Sequence, residues 1–130
     1  MLDTNTVSYL IRAHPVVTEK VVQIPMHSLC ISAITEAELL FGLAKRPDAK
    51  RLHTAVRELL SRLDVVSWDR TASEHYAVTR AALESRGQVL APLDMLIAAQ
   101  AIASDSVLVT SDKAFRQITE LQTQDWMLEN

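Results

Sequence analysis

Apolar positions along the chain recur in two rhythms. Short runs such as "SLCIS" (28–32), "DVVSW" (64–68) and "SVLVT" (106–110) read as strands, and "MLD" at the start reads as a minimal one. Longer stretches with apolar residues three and four apart read as helices. "TVSYLIRA" and "VVTEKVVQI" stop at Pro15 and Pro25, because proline disfavours helix in the residue before it. "AITEAELLFGLAKR" sets Ile34, Ala37, Leu40, Phe41 and Ala44 on one side at helical spacing, and "DAKRLHTAVRELLSRL" repeats the habit, so the two predict a helical hairpin turning at Pro47. "RTASEHYAVTRAALESRG" predicts a further helix ended by Gly87. From Pro92 "PLDMLIAAQA" predicts a helix apolar on nearly every face, hence largely buried. "SDKAFRQI" reads as a short helix and "LQTQDW" as a last edge strand. Strands alternating with helices predict an α/β fold with a mainly parallel sheet covered by helices.

With 130 residues the chain is expected to form a single domain, 1–130, and 48% hydrophobic with 22% charged residues suits a globular protein with a real core. No apolar run approaches the ~18 residues of a membrane span. Cys30 is the sole cysteine, inside an apolar run, which excludes an intrachain disulfide and, with the absence of a leader-like start, leads us to expect a cytoplasmic protein. The net charge of −3 argues at first against a polyanionic partner. That objection fades if some of the acids hold cations, which reverse the local field.

The same inventory narrows the chemistry. With only Gly42 and Gly87 there is no glycine-rich phosphate loop. His14, His27, His53 and His75 lack paired ligand spacing, and no serine sits in a nucleophile-elbow context. Carboxylates remain. Asp3 ends the first apparent strand and Asp112 follows "SVLVTS", at the carboxyl ends of strands where α/β sheets place their ligands; each also reads as a helix N-cap. Glu38 lies at the edge of the apolar stripe beside Ile34 and Phe41, one turn after Thr35, and equally reads as a solvated boundary residue. Asp94 sits about one turn inside the buried helix, where it either complements the helix dipole or meets a metal. Oxygen-only ligands without histidine or cysteine suit Mg²⁺ or Mn²⁺, and such carboxylate clusters hydrolyse phosphodiesters.

"MLDTN", "ISAITEAELLFG", "PLDMLIAA" and "VLVTSDKAF" carry these acids in order, and "QTQDW" closes the series. On these residues the whole chain resembles the PIN-domain ribonuclease toxins of the VapC type, from bacterial toxin–antitoxin modules. The resemblance implies an α/β/α sandwich around a central parallel sheet, Mg²⁺-dependent endoribonuclease activity on RNA, with tRNA in its anticodon region as the expected target, and a homodimer. It assigns Asp3, Glu38 and Asp94 to the acidic core and Asp112 to its more variable fourth place. Asn5, Thr35 and Ser111 match polar positions that would orient ligands or water. The implied partner is a VapB-type antitoxin whose C-terminal segment wraps the toxin and obstructs the site, while its own N-terminal domain binds operator DNA. Two departures from the pattern are a very short first strand and Ala91 where a glycine is common. Two other readings compete: a catalytically silent PIN fold kept as a protein-binding module, and a haloacid-dehalogenase-like phosphatase, whose second aspartate would here be Asn5.

Overall fold

The computed structural model describes residues 1–128. The helices are α1 (Thr4–Ile11), α2 (Pro15–Val22), α3 (Ala33–Ala44), α4 (Lys50–Arg62), α5 (Arg70–Ser85) and α6 (Pro92–Ala103). The strands are β1 (Cys30–Ser32), β2 (Asp64–Val66), β3 (Leu108–Val109) and β4 (Thr123–Gln124), with short 3-10 turns at Met26–Ser28 and Lys113–Gln117.

β1 pairs in parallel with β2, placing Ile31 opposite Val65, and β3 pairs in parallel with β4, placing Leu108 opposite Thr123. The segment Met1–Asp3 joins the two pairs. The Leu2 N–H donates to the Cys30 carbonyl at 2.9 Å, the Val109 N–H to the Met1 carbonyl at 2.8 Å, and the Asp3 N–H to the Val109 carbonyl at 3.1 Å. Leu2 bridges Val109 in parallel sense. The spatial order is therefore β2, β1, Met1–Asp3, β3, β4, with each strand only two or three residues long.

Successive strand residues face opposite sides of a sheet, and here they divide between two cores. Met1, Cys30, Val66 and Leu108 pack with Leu83 of α5 and with Met95, Ile97 and Ala98 of α6. Leu2, Ile31, Val65 and Val109 pack with side chains of α1, α2, α3 and α4, among them Val7, Val17, Leu39 and Val56. Two apolar faces, each closed by helices, make the α/β/α sandwich that the alternating pattern predicts.

Local sequence explains the ends of these elements. Pro15 and Pro92 open α2 and α6 at first-turn positions, where a missing N–H costs nothing. After α5 the Gly87 N–H bonds the Glu84 carbonyl and the Gln88 N–H bonds the Leu83 carbonyl, with Gly87 at φ 69°. That is a Schellman stop, which favours glycine because it needs a left-handed residue. α3 differs from expectation. Its buried line is Thr35, Leu39 and Leu43, while Ala37, Leu40, Phe41 and Ala44 of the expected stripe are exposed. Only Ile34 of that stripe packs on the core.

Candidate active site

The acids sit where the fold gathers chain ends. Asp3 follows the central segment, Asp112 comes just beyond β3, Asp94 lies in the first turn of α6, and Glu38 lies on the second turn of α3, which starts directly after β1. Asp3 and Asp112 are also N-caps, as the local pattern allows. Asp3 Oδ1 accepts from the Thr6 N–H at 2.8 Å, and Asp112 Oδ1 accepts from the Ala114 N–H at 2.9 Å. Each leaves its Oδ2 without a protein donor among the described residues, so capping and ligation do not compete. Asp3 is nearly buried, at 4% exposure, and the Thr6 hydroxyl donating to the Val109 carbonyl at 3.2 Å fixes the helix start against the sheet.

Glu38 is oriented by Thr4, whose hydroxyl donates to Oε1 at 2.7 Å and lies 3.2 Å from the Thr35 hydroxyl. Thr35, fully buried, thus supports Glu38 through Thr4. Asn5 is exposed and lines a cavity of about 230 Å³ together with Thr6, Tyr9, Ser111 and Asp112. The Ser111 hydroxyl donates to Asp125 Oδ1 at 2.7 Å, an acid that sequence reasoning did not single out.

Asp94 is unlike the others. It is half-buried, and no hydrogen bond reaches its carboxylate among the described residues. Desolvation, and then the charges of Asp112, Glu38 and Asp3, raise its pKa above the ordinary 3.8. No lysine or arginine figures among the charges acting on it. Asp3, Glu38 and Asp112, from three other segments of the chain, thus bring their carboxylates within electrostatic reach of Asp94. They stand apart nonetheless. Among the described residues no group of three or more His, Cys, Asp or Glu side chains is placed to hold a metal ion. Like charges repel, and the donor set is all oxygen, the chemistry that suits a hard divalent cation.

Two supporting residues escaped the sequence reading. The Ser32 hydroxyl accepts from the Ile34 N–H at 2.9 Å, capping α3, and donates to Gln100 Oε1 of α6. This buried bond ties the helix bearing Glu38 to the helix bearing Asp94. A glutamine in the middle of an otherwise apolar helix was the available signal, since a buried amide requires a partner.

The sequence profile of the PIN domain matches residues 1–121. The chain is 31% identical over 127 residues to the tRNA(fMet)-specific endonuclease VapC of Shigella flexneri, covering 97% of this chain and 96% of the relative. It superposes on a chain from the crystal structure of DNA-bound VapBC from Salmonella typhimurium with TM-score 0.88 and 34% identity, over 97% of this chain and 96% of that one. A chain of VapBC2 from Rickettsia felis, bound to a promoter DNA fragment, gives TM-score 0.87 at 29% identity, over 95% of this chain and 96% of that one.

Proposed function

The chain belongs to the PIN-domain family, and from that premise we propose that it is a VapC-type toxin: an endoribonuclease that cuts RNA with Asp3, Glu38, Asp94 and Asp112. The observation that carries the reading is Asp94, a half-buried carboxylate without a hydrogen-bond donor among the described residues, pressed upon by three other carboxylates and relieved by no basic side chain. Isolated buried charge costs several kcal/mol, and this one is made tolerable by what the site binds.

The four acids would hold a divalent ion, Mg²⁺ in the first instance and Mn²⁺ as a substitute. When bound, it supplies Lewis acidity and neutralises negative charge on the phosphodiester. The chain's own residues do the rest. Asp3 and Asp112 are fixed by the N–H groups they cap, so their remaining oxygens point from rigid supports. Thr4 holds Glu38 in one rotamer. Asp94 would complete the oxygen donors around that ion, and a water activated beside it would attack phosphorus, its proton passing to solvent, as the new P–O bond forms and the bond to the leaving oxygen breaks. Asn5, which lines a cavity together with Asp112, would orient water or phosphate, with Thr35 acting through Thr4 and Ser111 through Asp125.

Under this reading the substrate is tRNA, as the name of the Shigella relative suggests, and the cut falls in the anticodon region, as the family resemblance implies. The inhibitor is a VapB-type antitoxin, a partner that the VapBC complexes support, and operator DNA would be met only through that antitoxin. We further propose a homodimer acting in the cytoplasm. Val78 on α5, with Val89 and Leu93 before and within α6, is among the apolar groups a second copy would cover. No helix of the described residues is long and apolar enough to cross a membrane.

The test is inducible expression of the wild type and of Asp94→Asn, followed by end-mapping of total cellular RNA. Growth arrest with discrete RNA ends is expected for the wild type and neither for the variant. Equal arrest by both would remove Asp94 from the mechanism.

A further inference from the structure

A groove of about 350 Å³ opens beside the carboxylates and runs between α1, α3 and α4. Thr4 and Glu38 line one part of it, and Arg12, Lys45 and Arg46 line another. This is an unusual concentration of positive charge for a chain of net charge −3. Among the described residues the ion pairs join Arg62 to Glu58 and Arg80 to Glu84, and none involves Arg12, Lys45 or Arg46. All three are exposed.

Two of these cations are held in place without being neutralised. The Arg12 Nε–H donates to the Ser8 carbonyl at 3.4 Å, and its guanidinium lies 5.4 Å from the Tyr9 ring centre. Lys45 Nζ lies 4.7 Å from the centre of the Phe41 ring, which is itself 62% exposed. A cation braced on an aromatic face keeps its full charge for an incoming anion, and the exposed ring offers a base a surface on which to stack. Leu39, Leu43 and Val56, all buried, give the groove an apolar part of its lining.

We propose that Arg12, Lys45 and Arg46 bind successive phosphates of the RNA strand on one side of the cut, so that the groove threads the strand into the carboxylate site. This rests on the ribonuclease reading above. It assigns the three cations a positioning role, separate from the chemistry done by the acids. Charge complementarity and the direct run of the groove into Thr4 and Glu38 favour a phosphodiester backbone over a protein segment.

The experiment measures binding of fluorescently labelled bulk tRNA to full-length protein across a salt series, in the cleavage-deficient Asp94→Asn background. Each lost phosphate contact lowers the slope of log K against log salt by about 0.7 for a single strand. The triple variant Arg12→Ala, Lys45→Ala, Arg46→Ala should therefore lose about 2 from the slope, and Lys45→Ala alone about 0.7. Arg57→Ala, a cation of α4 outside the groove, should keep the parent slope. In cleavage-competent protein, Lys45→Ala and Arg46→Ala should raise KM with little change in kcat, which a merely structural role would not produce. An unchanged slope in the triple variant, while the wild type still cleaves tRNA, overturns the proposal and leaves the ribonuclease reading intact. An unchanged slope combined with loss of inhibition by co-expressed antitoxin overturns it in favour of a protein-binding groove. A wild type that neither binds nor cuts tRNA overturns both.

Discussion

Asp94 is a half-buried carboxylate that no donor reaches among the described residues, and its raised pKa in the folded chain fixes the sign of a stability effect. A group that binds its proton more tightly when folded contributes stability that is fully present below the ordinary value of 3.8 and is lost as pH rises through the raised value. At neutral pH in EDTA, Asp94→Asn should therefore melt above the wild type, and the gap should shrink as pH falls through the raised value and be gone below 3.8; a variant that melts lower at neutral pH would contradict the strain argument. Thr4 acts through Glu38. Hydrogen bonds to charged groups are worth about 1.5–3 kcal/mol, so Thr4→Val should slow cleavage roughly ten- to a hundredfold, with Thr4→Ser restoring most of it. Asp3, Asp112 and Asp94 were legible because strand ends and an apolar helix make an acid conspicuous. Thr4 was not, because its partner Glu38 is 34 residues away and only the fold reveals the pair.

At the level of the helix, α3 shows why periodicity alone can choose the wrong face. The stretch "AITEAELLFGLA" is apolar on two sides, and the side carrying Thr35, Leu39 and Leu43 is the buried one, its leucines packed with side chains of α1 and α4. A threonine inside the buried line hid it from the count of apolar residues. The same choice places Glu38 three residues after Thr35, close enough for Thr4 to touch both, and leaves Phe41 outside as a brace for Lys45. The two glycines make a clean contrast in how elements tolerate a methyl group. Gly42 lies within α3, and an added Cβ would meet nothing within 4 Å, so Gly42→Ala should stabilise by about 0.5–1 kcal/mol. Gly87 also has free space, but its φ of +69° is left-handed, so Gly87→Ala should cost about 1–2 kcal/mol. Urea midpoints with unchanged slopes would check both.

For the molecule as a whole, the decisive feature is that Met1–Asp3 lies between the two strand pairs. Alternation of strands and helices announced a parallel sheet, but no local pattern shows which strand is central, since that depends on pairings made across about a hundred residues. Leu2 is fully buried in the core beneath α1 to α4, and the next residue is Asp3. Leu83 is likewise buried, in the opposite core, on a helix that carries none of the four acids. Truncating either to alanine leaves a cavity worth about 2–5 kcal/mol, so the two variants should lose comparable stability in urea. Their activities should part. Leu2→Ala loosens the segment that sets Asp3 against Val109, and cleavage per folded molecule should fall with it, whereas Leu83→Ala should cut RNA at close to the wild-type rate under conditions where it remains folded. Equal loss of activity in both would mean that the site depends on overall rigidity, and not on the central segment that carries its first acid.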